Sequence, residues 1–272
     1  QHKAYVRRKY SKFQGMKIVG DRQLKKFVDR NLYDDQSPES IAWRIVYREK
    51  HLVYVSKDSI YRYIKSVYGR RIEFHRKRLR RRRRSRRSKR GKLSDRTFID
   101  KRPKYIENRT RVGDVEADFV ESGKSGKGIL LVVADRKTRV SFLEQILTIK
   151  IANVHKKFLR IKQRFPEMKT ITTDNDILLQ KHKKLERLLG VEIYFCHPYH
   201  SWEKGEVENT NGRIRKYIPK GSDISSYSIS FIKNLEDRLN RKIMKCLKYR
   251  TPWETLQEVR QRRKKMRGKK SR

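Results

Sequence analysis

Residues 70 to 92 cannot lie inside a globular core, and that restriction divides the chain. Fifteen of these 23 positions are Lys or Arg, and Glu73 is the only acid. Like charges at this density repel one another and resist desolvation, so the segment reads as an arm or linker until phosphate neutralises it. Its centre is Arg80, Arg81, Arg82, Arg83, Arg84, Arg86 and Arg87. A second basic stretch, 260–272, closes the chain. Folded structure is therefore expected on either side of the arm. The whole sequence leans the same way, with 74 Lys and Arg against 30 Asp and Glu and a formal net charge of +44. Such an excess repels itself in a free protein but suits a polyanion, where each cation near a phosphate displaces condensed counterions. The charge points to nucleic acid and leaves the activity open.

Other classes fall away quickly. The longest clean apolar run, Ile129 to Ala134, is far too short for a membrane span. No charged-then-apolar start with a small-residue cleavage site marks a secretory signal. Cys196 and Cys246 stand far apart, which argues against a disulfide scaffold and fits a reducing cytosol. Because the chain opens on Gln1 and not Met, part of the natural N-terminus is expected to be absent.

Ahead of the arm, the periodicity predicts three short helices. Asp21 caps the first, with Leu24, Phe27, Val28 and Leu32 on one stripe. Ser37 caps the second; Pro38 takes the first helical position, where its missing N–H costs nothing, and Ile41, Ala42, Ile45 and Val46 form the stripe. Ser56 caps the third, which carries Ile60, Tyr61, Ile64 and Val67. The last two, joined by the turn 51–55, fit a helix-turn-helix in which Lys57, Ser59 and Arg62 meet DNA. A plain three-helix bundle has the same periodicity. The expected division is a helix-turn-helix domain over 1–68 and a basic linker over 69–105.

From about Arg111 the pattern changes. Val112 to Val120 alternates, Ile129 to Ala134 is continuously apolar, and Val140 to Ile146 follows a tight connection. Helix (Ile151 to Phe165), strand (Thr170 to Thr173), helix (Leu178 to Leu189, closed by Gly190) and strand (Val191 to Phe195) come next. A longer helix is expected from Trp202 to Tyr217. Three strands running into βαβα with a late helix is an α/β order, and it is the order of an RNase-H-like domain among other α/β folds. This domain is expected over 106–225, with a C-terminal helical segment and basic tail over 226–272.

Phosphoryl transfer on DNA needs two divalent ions about 4 Å apart more than it needs covalent help from protein. The relevant acids are few, placed at strand ends and surrounded by bases. Asp174 ends an apolar strand and is the best single candidate, although a lone Asp there is also a common turn former. The first strand puts Asp114, Glu116 and Asp118 on one face, and spacing alone does not choose among them, with position slightly favouring Asp118. The late helix offers Glu203, Glu206 and Glu208. Glu208 borders its apolar stripe of Val207, Thr210, Ile214 and Tyr217, among the donors Asn209, Asn211, Arg213, Arg215 and Lys216. A solvated charged helix face has the same periodicity.

The stretch from Pro198 to Gly221 (PYHSWEKGEVENTNGRIRKYIPKG) resembles the signature of the insertion-sequence IS-thirty family of bacterial DDE transposases. Gly113 to Val120 (GDVEADFV) resembles its first-strand motif, Thr173-Asp174-Asn175 its second, and Ser37 to Ala42 with Ser59 to Ile64 its helix-turn-helix. The resemblance covers nearly the whole chain, from about residue 4 to 256. The resemblance implies an RNase-H-like (retroviral-integrase-like) catalytic domain behind an all-α helix-turn-helix domain. It also implies a triad of Asp118, Asp174 and Glu208 holding two Mg²⁺ ions, with Mn²⁺ as a substitute. Thirty-three residues separate Asp174 from Glu208, the spacing the family favours. The implied activity is Mg²⁺-dependent cleavage and strand transfer of double-stranded DNA by at least a dimer. It would act at terminal inverted repeats, in the bacterial cytoplasm and nucleoid, without a membrane partner. Members usually carry a further N-terminal helix-turn-helix, which this chain is expected to lack or to have lost. Two departures stand out: Asp176, Ile177 and Leu178 replace the usual Gly, acid and Phe after the Asp-Asn pair, and Val115 replaces an aromatic.

Two rival readings share parts of the pattern: a non-catalytic DNA-binding regulator descended from a transposase, and an RNase-H-like DNA nuclease. Smaller signals also have two readings each. Cys196, His197 and His200 cluster, but a structural zinc site takes four ligands, and the histidines suit DNA or carboxylate contacts better. Trp202 is a candidate for stacking on a base or for packing at a helix entry. Lys220 is a further phosphate contact in the motif, and Trp253 is expected to pack a C-terminal helix.

Overall fold

The computed structural model describes residues 15–78, 95–123, 126–197 and 201–270, with positions 4 and 6. The chain divides into two compact units, Gln1–Arg82 with Arg241–Arg272, and Arg83–Asn240. Among the described residues no helix is long and apolar enough to cross a membrane.

The first unit is helical. Its helices are α1 (Met16–Val19), α2 (Arg22–Tyr33), α3 (Pro38–Tyr47) and α4 (Lys57–Lys65), and the last three start where their caps place them. Asp21 accepts the N–H groups of Gln23 and Leu24, Ser37 that of Ser40, and Ser56 that of Ser59. Each cap satisfies donors that the first helical turn would leave unpaired. The core gathers Ile18, Leu24, Val28, Leu32, Ile41, Ile45, Ile60, Tyr63 and Ile64. Two expectations shift in phase: Tyr63 is buried where Tyr61 was expected, and Val46 and Val67 are exposed. The Tyr63 hydroxyl explains the first, because it reaches inward to Asp29 Oδ1 at 2.6 Å.

The start of the expected arm is structured. Helix α5 (Arg70–Arg78) buries Ile72 in the same core, and Arg76 donates to the carbonyl of Gln36. A single buried apolar residue and a carbonyl partner anchor the least charged end of the run. The arginines from Arg80 to Arg87 lie outside the described residues.

The C-terminal segment returns to this unit and does not form a separate tail. Gln36, 1% exposed, donates to the carbonyl of Arg241 and accepts the N–H of Ile243. Arg44 makes a two-pronged pair with Glu254 at 2.7 and 2.6 Å, at the start of the last helix (Pro252–Lys270). Trp43, Tyr47 and Tyr249 stack beside it.

The second unit is built on five strands: β1 (Asp114–Glu121), β2 (Ile129–Asp135), β3 (Ser141–Ile146), β4 (Thr170–Thr173) and β5 (Glu192–Phe195). Their order is β3-β2-β1-β4-β5, with β1, β2 and β3 antiparallel and β1, β4 and β5 parallel. A short helix, α6 (Lys104–Glu107), precedes the sheet. Helix α7 (Ile151–Arg164) lies on one face, where Phe165 just beyond it meets Phe142 of β3. Helix α8 (His182–Leu189) ends at Gly190, whose φ of +61° forms the left-handed cap that glycine adopts without strain. On the other face, α9 (Gly205–Ile214) and α10 (Ile229–Asn240) pack Val207, Ile214, Ile232, Leu235 and Leu239 onto Val120, Leu130, Val132 and Leu143. Helix α10 also covers the free edge of β3: Glu236 accepts the N–H of Leu143, and Asn240 pairs both ways with Ser141. An edge strand left open would invite foreign strands. That pairing keeps Ile229–Asn240 with the sheet, although the sequence placed it in the C-terminal segment.

Candidate active site

Strand register brings the two aspartates side by side. Ala117 of β1 lies opposite Thr173 of β4 in a parallel pair, so the next residues, Asp118 and Asp174, leave neighbouring strands at one level. They share one cation. The Lys204 ammonium is 2.9 Å from Asp118 Oδ1 and 2.9 Å from Asp174 Oδ2, so those two oxygens lie no farther apart than twice that distance. Lys204 is 3% exposed. Burial alone would discharge it, yet the two carboxylates hold its ionisation above the ordinary lysine range. The second oxygen of Asp118 accepts from Asn211 Nδ2 at 2.6 Å.

Helix α9 is locked to the sheet by an acid that is not part of the expected triad. Glu116 Oε2 accepts the backbone N–H groups of Glu206 and Val207 at 2.8 and 3.0 Å, and Oε1 takes Arg136 Nη1 at 3.0 Å. A carboxylate at a helix N-terminus satisfies unpaired donors and meets the positive end of the helix dipole. Burial pushes its carboxyl up, against the pull of Arg136 and the Val207 N–H. The expected onset at Trp202 gives way to a 3₁₀ turn, Ser201–Lys204, with the α-helix beginning at Gly205. That turn carries Lys204 inward.

The acids that spacing left open are sorted by their partners. Asp114 is buried, paired with Arg111 and bonded by the Thr170 hydroxyl. Glu116 is committed to α9. Glu203 is held by the N–H and Nδ1 of His197, and Glu206 is buried against Arg139. Glu208 remains exposed on α9. Burial raises its carboxyl above the ordinary range; Lys204 opposes this, while the charges of Asp118 and Asp174 add to it. Among the described residues no three His, Cys, Asp or Glu groups converge into a ready-made ion site. The donor set still suits a hard cation, because Asp118 and Asp174 already hold a positive charge between them.

The altered stretch after Asp174 is also accounted for. Asn175 donates to the carbonyl of Cys196 and receives Arg96, and Asp176 caps a short 3₁₀ turn, Ile177–Leu179. Burial pushes the Cys196 thiol up to about 12, which disfavours the thiolate a metal would need. His197 stands between Asp100 and Glu203, while His200 lies outside the described residues.

Of the residues expected to meet DNA, Lys57 and Arg62 are exposed on α4. Ser59 is half-buried and bonded within the Ser56 cap, so its hydroxyl serves the helix start. Asn211 is half-buried, and its amide donates to Asp118. Asn209, Lys216 and Lys220 are exposed, and Arg213 and Arg215 are half-buried. Arg215 Nη2 donates to the carbonyl of Glu121 at 3.4 Å. The side chain of Trp202 lies outside the described residues. Lys204 is the residue that sequence reasoning passed over, and Glu116 enters there only as one of three candidate acids. Both sit inside the quoted motifs, and only their long-range partners distinguish them.

Strand order, strand senses and the late helix carrying Glu208 define the class: an RNase-H-like domain, joined in one chain to a helical unit. No protein-family model matches the chain. It is 36% identical over 245 residues to the transposase for insertion sequence element IS4351 of Bacteroides fragilis, a match covering 87% of this chain and 73% of that protein. The transposase InsI for insertion sequence element IS30A of Escherichia coli is 32% identical over 165 residues, covering 59% of this chain and 42% of its own length. A putative integrase, ORF3 of Spiroplasma virus SpV1-R8A2 B, is 27% identical over 226 residues, covering 80% and 68%. The catalytic core domain of BIV integrase superposes with a TM-score of 0.43 and 18% identity, covering 56% of this chain and 97% of that one. The chain belongs to the insertion-sequence transposase family that includes the IS30 transposases.

Proposed function

We propose that this chain is a DDE transposase that binds the terminal inverted repeats of its element and catalyses Mg²⁺-dependent cleavage and strand transfer of DNA. One observation carries the reading: Asp118 of β1 and Asp174 just beyond the parallel strand β4 converge on one positive charge, and Glu208 lies on the helix whose start Glu116 binds. Asp118, Asp174 and Glu208 would hold the two Mg²⁺ ions, for which Mn²⁺ can substitute. Bound there, the ions would supply Lewis-acid activation of the attacking oxygen and charge stabilisation for the leaving oxygen. A water oxygen attacks the phosphorus at the element's end, and the bond from that phosphorus to the 3′ oxygen breaks. The freed 3′-OH then attacks a target phosphorus, and one phosphodiester forms as another breaks. Lys57 and Arg62, exposed on α4, would enter a major groove. Asn209, Lys216 and Lys220, with the arginines of the arm, would hold phosphates without reading sequence. Joining two ends calls for at least a dimer, acting on double-stranded DNA in the bacterial cytoplasm.

The test incubates the chain with Mg²⁺ and labelled duplex bearing the element's ends. Joined products that vanish with Asp174→Asn support the transposase. Cleavage without joining would indicate a nuclease, and binding without cleavage a regulator.

A further inference from the structure

Lys204 occupies a position that the proposed chemistry needs for something else. Its ammonium lies within 2.9 Å of one oxygen from each of Asp118 and Asp174, and it is almost completely buried. Taking a lone ammonium out of water costs several kcal/mol, which only close anionic partners offset. Two carboxylates on neighbouring strands would repel each other without a cation between them. The backbone at this point is held, because Glu116 binds the N–H groups of Glu206 and Val207 just beyond. Among the described residues the ammonium is held only by its two carboxylates, and four rotatable bonds separate it from that backbone. A divalent ion bound by these carboxylates would take the same oxygens at about 2.0–2.1 Å. Ammonium and metal cannot both sit there.

We infer that Lys204 is a built-in counter-cation: it holds the Asp118–Asp174 pair together before metal arrives and swings out as divalent ions enter. It thereby sets the threshold of metal affinity. This rests on the metal-dependent reading above, with Lys204 as a positioning residue and not a metal ligand.

The test measures Mn²⁺ binding to the 272-residue chain by calorimetry and by the electron paramagnetic resonance of free Mn²⁺, at one pH and without DNA. Lys204→Met removes the charge and keeps the length. It is expected to bind Mn²⁺ about tenfold tighter than wild type or better, to melt earlier in chelator, and to gain more from added Mn²⁺. Lys204→Arg keeps a cation and is expected to stay within about threefold of wild type, on the scale where tenfold is 1.4 kcal/mol. Equal or weaker binding by Lys204→Met, with binding lost in Asp174→Asn, would overturn the inference and leave the metal reading standing. No Mn²⁺ binding by any of these proteins would overturn both. Should Lys204→Met fail to fold, the wild-type chain carries the test through amine acylation read by peptide mass spectrometry. Lys204 should be protected in chelator and become reactive with Mn²⁺, and unchanged protection would refute the displacement.

Discussion

Replacing Glu116 with Ala should unfasten the helix that carries Glu208. The substitution removes an acceptor 2.8 and 3.0 Å from the N–H groups of Glu206 and Val207 and strands Arg136, which is 6% exposed. The Nε of Arg136 already has no hydrogen-bond partner, so the loss leaves a buried guanidinium poorly satisfied. Losing a helix cap costs about 0.5–2 kcal/mol, and breaking a buried ion pair from one side costs about 3–5 kcal/mol. Both effects act through one carboxylate and overlap, so the expected loss is about 3–5 kcal/mol in total. Glu116→Gln keeps an acceptor for the helix and should lose about 1.5–3 kcal/mol, the worth of the charge assistance. Adding Arg136→Met to Glu116→Ala should recover part of the loss, because the stranded cation is then gone. Urea unfolding followed by circular dichroism gives the stabilities, and hydrogen exchange at Glu206 and Val207 reports the helix start. A loss below about 1 kcal/mol with unchanged protection at those amides would refute the cap.

Other outcomes follow from the same geometry. His197 donates to Glu203 and to Asp100, which lifts its ionisation above the ordinary 6.5. Its stabilising contribution is therefore complete below pH 6.5 and lost as pH rises through the folded value; thermal melts should show this, and His197→Gln should flatten it. Glu254 lies below its ordinary 4.5 because, against the upward push of burial, Arg44 binds it at both oxygens. That stability is present above pH 4.5 and lost as acid passes the lower folded value, so Arg44→Met should cost about 1–2 kcal/mol at neutral pH and remove the acid-side dependence. Arg62→Ala should weaken binding to inverted-repeat duplex and, if it touches phosphate, lower the slope of log affinity on log salt by about 0.9. A salt titration by fluorescence anisotropy measures this.

Local chemistry was legible in the sequence, and distant pairing was not. Asp21, Ser37 and Ser56 announce helix starts because a cap bonds two or three residues ahead. The run Ile129 to Ala134 announces a strand buried on both faces. Asp118 was not separable from Asp114 and Glu116 by spacing, since all three alternate correctly; in the fold Asp114 is bound by Arg111 and Thr170, Glu116 by the start of α9, and Asp118 by Lys204 and Asn211. Glu203 and Glu206 are removed likewise by His197 and Arg139. Lys204 gave no signal because a bridging ammonium depends on two strands that meet only in the fold. The helix of Arg70–Arg78 was hidden by charge, its anchor being the single Ile72.

The return of Arg241–Arg272 to the helical unit has a consequence for synthesis. A nascent chain makes most of its helical unit early, but Gln36, Arg44 and Trp43 wait for Arg241, Ile243, Tyr249 and Glu254. All of Arg83–Asn240 is translated in between. At roughly 5–20 residues per second, that delay is on the order of ten seconds or more. A fragment that stops short of Arg241 keeps an unfinished reader. Chain order thus works as a timing device: the unit that would grip DNA is completed only after the unit that would cut it has left the ribosome.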